Sequence, residues 1–298
     1  MGGQIRHGIP VLALIAVAAL TVAGCGDADA GRLQDEARAD LARYADAVAS
    51  SGGAGGFQPA GELTGQVGNW ELAVGSNNKM ALYGGLVEAA QPLSSSQPPD
   101  GTITWADGTT STVPLLSAAA ALDQIRVTAT GGCIGCDPTP APLRVTGATL
   151  TTVSIGTSRG QATVPAWAFT IEGTAVQATR VAVAQTVTVV PLAWDPSHPP
   201  IGLSIMSADL AADGVTLTFS FVGSPYPATQ GCGEDYTGEA VESDLAVVAV
   251  VHVQKNPIPG SCAAVGASRT ATVTLASPLG SRAVLEVQQG LPVPVTRQ

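Results

Sequence analysis

Residues 143 to 190 form a long stretch in which apolar and polar residues alternate, as in LRVTGATLTTVSIGTS, QATVPAWAFTIEG and AVQATRVAVAQTVTVV. Successive side chains of a β-strand point to opposite faces, so a period of two predicts strands that bury one face. Val, Thr, Gly and Pro are abundant, and charged residues make up only 12% of the chain. This composition is typical of β-rich proteins. We therefore predict a mainly β fold in which helices are the minority.

A second set of strand-like segments follows a stretch with four prolines, residues 191 to 201. Turn sequences separate these segments, a spacing typical of an antiparallel sandwich. The predicted strands are Leu203–Leu210, Val215–Phe221, Leu245–Gln254, Thr270–Leu275 and Ala283–Val287. The chain thus divides into a β-rich α+β module at 57–192, a Pro-rich linker at 193–201 and a β-sandwich-like module at 202–298.

The first module has mixed signals before its long strands. A β-hairpin is predicted around Asp107-Gly108, because this pair accepts the backbone angles of a tight turn. Further elements are a strand at Trp70–Val74, a short helix at Lys79–Ala90 and a helix at Ser117–Arg126, which Ser117 caps.

Residues 31 to 49 predict an amphipathic helix. Leu33, Ala37, Leu41, Tyr44 and Val48 fall on one stripe. The glycines of residues 50–56 end this helix and provide a Gly/Ser linker. We predict a helical stalk that either docks on a domain or spaces it from another surface.

The start of the chain carries an export signal. Ile9–Ala23 is an apolar run of 15 residues, shorter than the about 20 that a spanning helix needs. It ends in Val22-Ala-Gly-Cys25, the lipobox pattern that directs signal removal and lipidation of the cysteine. We therefore predict a lipoprotein signal peptide at residues 1–24 and a diacylglyceryl group, palmitate being a typical acyl chain, on Cys25. The alternative is an ordinary cleaved signal with a free thiol.

The negative net charge of the chain limits the kinds of partner that we expect. The whole chain has a formal charge of -10, and removal of residues 1–24, which contain Arg6 and no carboxylate, makes it -11. Such a charge disfavours nucleic acid and anionic lipid surfaces. The expected contact with a membrane is therefore the lipid anchor, on the outer face of the plasma membrane. A protein or a glycan of the cell envelope is the open possibility for a partner, and no cofactor is indicated.

Four cysteines remain besides Cys25, in an exported setting where disulfides are the default. Three pairings are formally open, and we favour Cys232 with Cys262 and Cys133 with Cys136 because each pair stays within one module. Cys133-Ile-Gly-Cys136 also matches the C-x-x-C pattern of redox enzymes. The Asp-Pro-Thr-Pro that follows cannot continue a helix, which disfavours thiolate chemistry, and no second ligand pair suggests zinc.

Two short motifs match parts of hydrolase sites. Gly156-Thr-Ser158-Arg-Gly160 fits a nucleophile elbow, but a strand follows where a helix is needed. Only His198 and His252 remain as bases. Ser76-Asn-Asn-Lys79 fits the S-x-x-K pattern of penicillin-recognising enzymes, yet the partner elements of such enzymes are missing. Ser76 as a helix N-cap is the simpler interpretation.

Acidic residues cluster beside Cys232, and carboxylates can bind calcium, but their spacing fits no EF-hand loop. We predict a solvated acidic loop and no metal site. Its members are Glu234, Asp235, Glu239, Glu242 and Asp244.

Tryptophans can line a carbohydrate or peptide groove, and the candidates are Trp70, Trp105, Trp167 and Trp194. Of these, Trp167 fits a core position better, and Trp194 is the best candidate for exposure.

Four segments, CIGCDPTPAPLRVTGA, TSRGQATVPAWAF, ESDLAVVAVV and RTATVTLASPLGSRAVLEV, resemble a family of uncharacterised exported actinobacterial lipoproteins. The similarity covers about residues 60 to 298. It implies an envelope location and a β-rich architecture, and it supplies no catalytic residue. We therefore expect a non-enzymatic binding or structural role in the envelope. The alternative is an envelope hydrolase that uses Ser76 with Lys79, or Ser158.

Overall fold

The computed structural model describes residues 26–298 except 54–55, 71–75, 129–139, 194 and 259–260. The fold is mainly β, with several sheets and an N-terminal helix, as predicted. Within these residues, no helix is long and apolar enough to cross a membrane. The helices are α1 (Gly26–Ser50), α2 (Ser76–Tyr83) and α3 (Ala118–Thr128).

The first part of the chain builds an eight-stranded sheet around one long antiparallel pair. The strands are β1 (Pro59–Ala60), β2 (Thr64–Val67), β3 (Val87–Ala89), β4 (Gly101–Trp105), β5 (Thr110–Val113), β6 (Leu143–Thr157), β7 (Gly160–Ile171) and β8 (Gln177–Val181). β6 and β7 form the long pair, and β8 continues from β7. Helices α2 and α3 pack on this sheet around the buried Phe169 and Val145.

The second part builds two smaller sheets that share one core. A four-stranded sheet has the order β13-β10-β9-β15 and a three-stranded sheet the order β11-β12-β14. Their strands are β9 (Ile205–Leu210), β10 (Thr216–Gly223), β11 (Glu234–Glu242), β12 (Ala246–Lys255), β13 (Ala267–Thr274), β14 (Ala283–Glu286) and β15 (Val295–Arg297). Leu217 and Phe219 of one sheet meet Val247 and Ala249 of the other in a buried cluster. The arrangement is sandwich-like, but β12 with β14 and β9 with β15 are parallel pairs, not antiparallel ones.

Helix α1 covers the outer face of the three-stranded sheet. Ala37, Tyr44 and Val48, all on the predicted apolar stripe, pack against Val248 and Leu285. β12 is therefore buried on both faces, which explains its unbroken run AVVAVV at residues 246–251. Of the two roles considered for the N-terminal helix, docking on a domain is the one that the structure has.

The last strand joins the two parts. β15 pairs with β9, and the guanidinium of Arg297 donates to the carbonyl oxygen of Ser158 at 2.9 Å, in the turn between β6 and β7. Pro294 lies so close to Gly156 that a Cβ there would be 2.8 Å from the proline Cβ. The C-terminal residues thus hold the turn of the long hairpin against the second set of sheets.

Several local predictions are confirmed and three are wrong. The hairpin at Asp107-Gly108 and the helix capped by the Ser117 hydroxyl, at 3.2 Å from the Ala120 amide, are present. The helix predicted to reach Ala90 ends at Tyr83, because two glycines follow and β3 begins at Val87. The third alternating segment is a strand only over residues 177–181. The predicted acidic loop is strand β11. The predicted strand at 70–74 lies outside the described residues after Trp70.

Candidate functional site

A cleft of about 420 Å³ lies where the two parts of the structure meet. We call it the central cleft. It is lined by Pro59 and residues 61–64, by the end of α2, by Ile125 of α3 and Arg180 of β8, and by residues 187–191 and 291–292. This volume is within the range of small-molecule sites, which are concave, mostly apolar and carry few polar groups. Aliphatic side chains dominate the wall: Leu63, Leu82, Ile125, Val187, Val189 and Leu291.

Arg180 of β8 is the cation of this wall, and its side chain is almost fully buried, with 4% of the residue exposed. The guanidinium donates to the Thr64 hydroxyl and to the Gln124 side-chain oxygen, both at 3.0 Å. Within the described residues its Nε is buried without a hydrogen-bond acceptor. Burial lowers the pKa of Arg180 to about 10, so the side chain stays protonated at neutral pH. Arg180 also lines a smaller adjoining cavity of about 200 Å³.

The rim of the cleft combines one carboxylate with exposed apolar side chains. Glu62 is exposed, and its charge favours the protonated state of Arg180. The two side chains form no ion pair within 4.0 Å in the described part of the chain. Tyr83 and Val190, exposed to 54% and 69%, extend the apolar surface outward. As far as the described residues line it, the cleft therefore has an aliphatic interior, a buried cation without an ion-pair partner and one acidic group at its mouth.

The G-x-S-x-G residue Ser158 lies in the turn between two strands, not at the start of a helix. It is 5% exposed. Within the described residues, neither histidine forms a hydrogen bond with Ser158: His252 pairs with Glu239 at 2.6 Å, and His198 pairs with Asp195 at 2.8 Å in an exposed turn. The structure thus does not bring this motif together with a base.

The S-x-x-K residues lie on α2. Ser76 is its first residue and Lys79 is exposed on it. Helix α2 contributes Leu82 and Tyr83 to the central cleft from its opposite end. The motif and the cleft are therefore separate features of the same short helix.

The structure contains the disulfide Cys232–Cys262, as predicted, with an S–S distance of 2.06 Å. Cys25, Cys133, Cys136 and Trp194 lie outside the described residues, so the predicted lipidation and the second disulfide stay predictions.

The acidic residues serve as partners of neighbouring groups. Glu234 accepts from the Tyr236 hydroxyl at 2.6 Å, and Glu242 pairs with Arg282 at 2.7 Å. Asp235 accepts from the Ala228 amide, Glu239 pairs with His252, and Asp244 is exposed. These contacts spread along β11 and do not form one cluster.

The three described tryptophans do not share a groove. Trp70 is buried and Trp167 packs against the same cluster, where its indole N–H donates to the Leu116 carbonyl at 2.9 Å. Trp105 packs against a different hydrophobic cluster, which contains Phe57 and Ile103. The Arg159 guanidinium lies 4.1 Å from the centre of the Trp105 ring.

A second buried ionic group lies under α1. Asp40 has no exposed surface and pairs with Arg43, and Glu286 of β14 is also buried. Burial raises the pKa of Asp40 to about 6, against the opposing hydrogen bond and charge of Arg43. Arg43 further donates to the Gln289 carbonyl at 2.9 Å. These contacts link α1 to the segment after β14.

Arg180 was not singled out in the sequence. The available signal is an arginine within the alternating segment QATRV, in a chain with few charged residues. Comparison with protein-family models, with curated proteins and with solved structures finds no match to this chain.

Proposed function

We propose that this chain is a lipid-anchored envelope protein that binds a ligand in the central cleft and does not catalyse a reaction. The anchor is the diacylglyceryl group expected on Cys25. Two acyl chains contribute on the order of 20 kcal/mol of membrane attachment, at about 0.8 kcal/mol per buried methylene. Helix α1, described from Gly26, is next to Cys25 in the chain.

The observation that carries the binding role is the cleft itself. Its aliphatic walls and the buried guanidinium of Arg180 form a concave, mostly apolar surface with few polar groups, which is the usual composition of a small-molecule site. Loops and strand ends from distant parts of the chain line it, as in many binding proteins built on rigid sheets.

A hydrolase has less support. Catalysis by a serine needs a base within hydrogen-bond reach and donors for the oxyanion. Ser158 is buried in the tight turn between strands β6 and β7. Its own carbonyl oxygen accepts a hydrogen bond from Arg297. We therefore favour binding over hydrolysis.

The binding role is tested by filling the cleft. Residues 26–298 contain every described helix, strand and buried cluster, so this segment is the folded unit for the assay. Titration with 1-anilinonaphthalene-8-sulfonate, an aromatic fluorophore with one sulfonate group, should give a saturable increase in fluorescence with the unmodified segment. Val189→Trp, which places a large ring in the cleft, should remove most of it.

Val67→Trp is the matched control, since Val67 is 53% exposed on β2 and does not line the cleft. It should bind the fluorophore like the unmodified segment. Equal binding by all three proteins would contradict a ligand site in the cleft. The anchor is tested separately, by mass spectrometry of Cys25 and by fractionation of cells expressing Cys25→Ala, which should lose membrane association.

A further inference from the structure

Arg180 is a buried cation whose charge the described protein does not neutralise by an ion pair. Burying a charge is costly unless it is paired and hydrogen-bonded. Among the described residues, its hydrogen bonds go to neutral oxygens, of Thr64 and Gln124, and its Nε has no acceptor. A guanidinium in this state is complementary to an anion that enters the cleft.

The charges around the cleft favour a monoanion. Arg180 is the cation on the wall and Glu62 is a carboxylate at the rim, so a dianionic phosphate would carry more negative charge than the site can balance. A planar carboxylate also matches the donor geometry of a guanidinium.

The side chains of the cleft walls indicate the chemistry of the remaining part of the ligand. Leu82, Ile125, Val187 and Leu291 offer aliphatic surface, and Tyr83 is the aromatic side chain at the rim. A sugar would need more polar partners than this lining provides, whereas a hydrocarbon chain needs none.

From this arrangement we propose that the central cleft binds a free fatty acid, with the carboxylate at Arg180 and the hydrocarbon chain along the aliphatic wall. This inference rests on the proposed binding function and names its ligand class. The negative charge of Glu62 then lowers the affinity for the fatty acid, because it repels the carboxylate of the ligand.

The test is calorimetric titration of delipidated residues 26–298 with three probes of equal chain length: dodecanoate, dodecan-1-ol and dodecyl phosphate. We expect dodecanoate to bind at least tenfold more tightly than the alcohol, because only the acid makes a charge-assisted contact with Arg180. Dodecyl phosphate should bind more weakly than dodecanoate. Tighter binding of the phosphate would overturn the assignment in favour of a phosphate head group.

Variants locate the head group. Arg180→Met should weaken dodecanoate binding at least tenfold and leave dodecan-1-ol binding unchanged. Arg144→Met is the matched control, since Arg144 is an exposed arginine that pairs with Glu172 away from the cleft. Because Arg180 is buried, its variant can fail to fold. Glu62→Gln, an exposed change, therefore gives an independent reading: dodecanoate should bind about two- to fivefold more tightly.

The outcomes separate the two proposals. Equal affinity for dodecanoate and dodecan-1-ol, or no gain with Glu62→Gln, would overturn the fatty-acid assignment while the cleft still binds apolar probes. Loss of all binding, including that of the fluorophore, would overturn the proposed function together with it.

Discussion

The buried carboxylate of Asp40 should make the stability of this protein depend on pH in a specific direction. Burial raises its pKa from 3.8 to about 6, in the presence of Arg43 and of the like charges of Glu36 and Glu286. The folded state thus binds the proton more tightly than the unfolded chain does. Below about pH 4 this contribution to stability is fully present, and it is lost as the pH rises through about 6.

The magnitude follows from the pKa difference. It corresponds to about 3 kcal/mol of unfolding free energy between acidic and neutral pH, for this one group. Asp40→Asn cannot ionise and should not lose it. The difference in unfolding free energy between the Asn variant and the unmodified protein should therefore shift by about 2.4 kcal/mol in favour of the variant from pH 4 to pH 7.5, because part of the change lies below pH 4.

Urea unfolding of residues 26–298 at four pH values, followed by circular dichroism and tryptophan fluorescence, measures this difference. Other titrating groups are common to both proteins and largely cancel. Asp35→Asn is the control, since Asp35 is exposed on the same helix and pairs with Arg38. A difference that stays constant with pH would refute the raised pKa. A shift of opposite sign would show that the pairing with Arg43 outweighs the burial of the carboxylate.

Two further predictions concern the covalent and steric links in the fold. The Cys232→Ser/Cys262→Ser double variant, which opens a disulfide spanning 30 residues, should unfold with about 4 kcal/mol less free energy in non-reducing urea titrations; an unchanged midpoint would show that the unfolded chain is not restricted by this link. Gly156→Ala should destabilise by about 1–3 kcal/mol, because its Cβ would lie 2.8 Å from the Cβ of Pro294. Gly147→Ala on the same strand, with no atom within 4 Å of the added carbon, should cost less, and equal losses would argue against the contact at Pro294.

The fold class could be predicted because it depends on local periodicity. The alternation in residues 143–171 becomes the β6–β7 pair, and Asp107-Gly108 becomes a hairpin turn. Strand β11 was missed since its carboxylates resemble a polar loop. Their partners lie on other elements: Glu239 meets His252 on β12, and Glu242 meets Arg282 near β14. These contacts cannot be predicted from the local sequence around β11.

The candidate site could not be predicted from the sequence for the same reason. The cleft is lined by residues that range from Pro59 to Pro292 in the chain. The significance of Arg180 depends on its contacts with Thr64 and Gln124, which lie 116 and 56 residues away, and on an Nε that has no acceptor in the described part of the chain. The motifs that were visible, at Ser76 and Ser158, depend instead on short spacing, and the structure places them apart from the cleft.

The position of α1 has a consequence for how the chain acquires its fold. Gln34 bonds to Glu239 and Arg43 to the carbonyl of Gln289, contacts that join residues 205 and 246 positions apart. Most of the surface on which the apolar stripe of the first helix packs therefore forms only when β12 and β14, about 200 residues later, have been synthesised. Contacts of such long range form slowly. Docking of α1 is therefore among the last steps in which this chain acquires its fold.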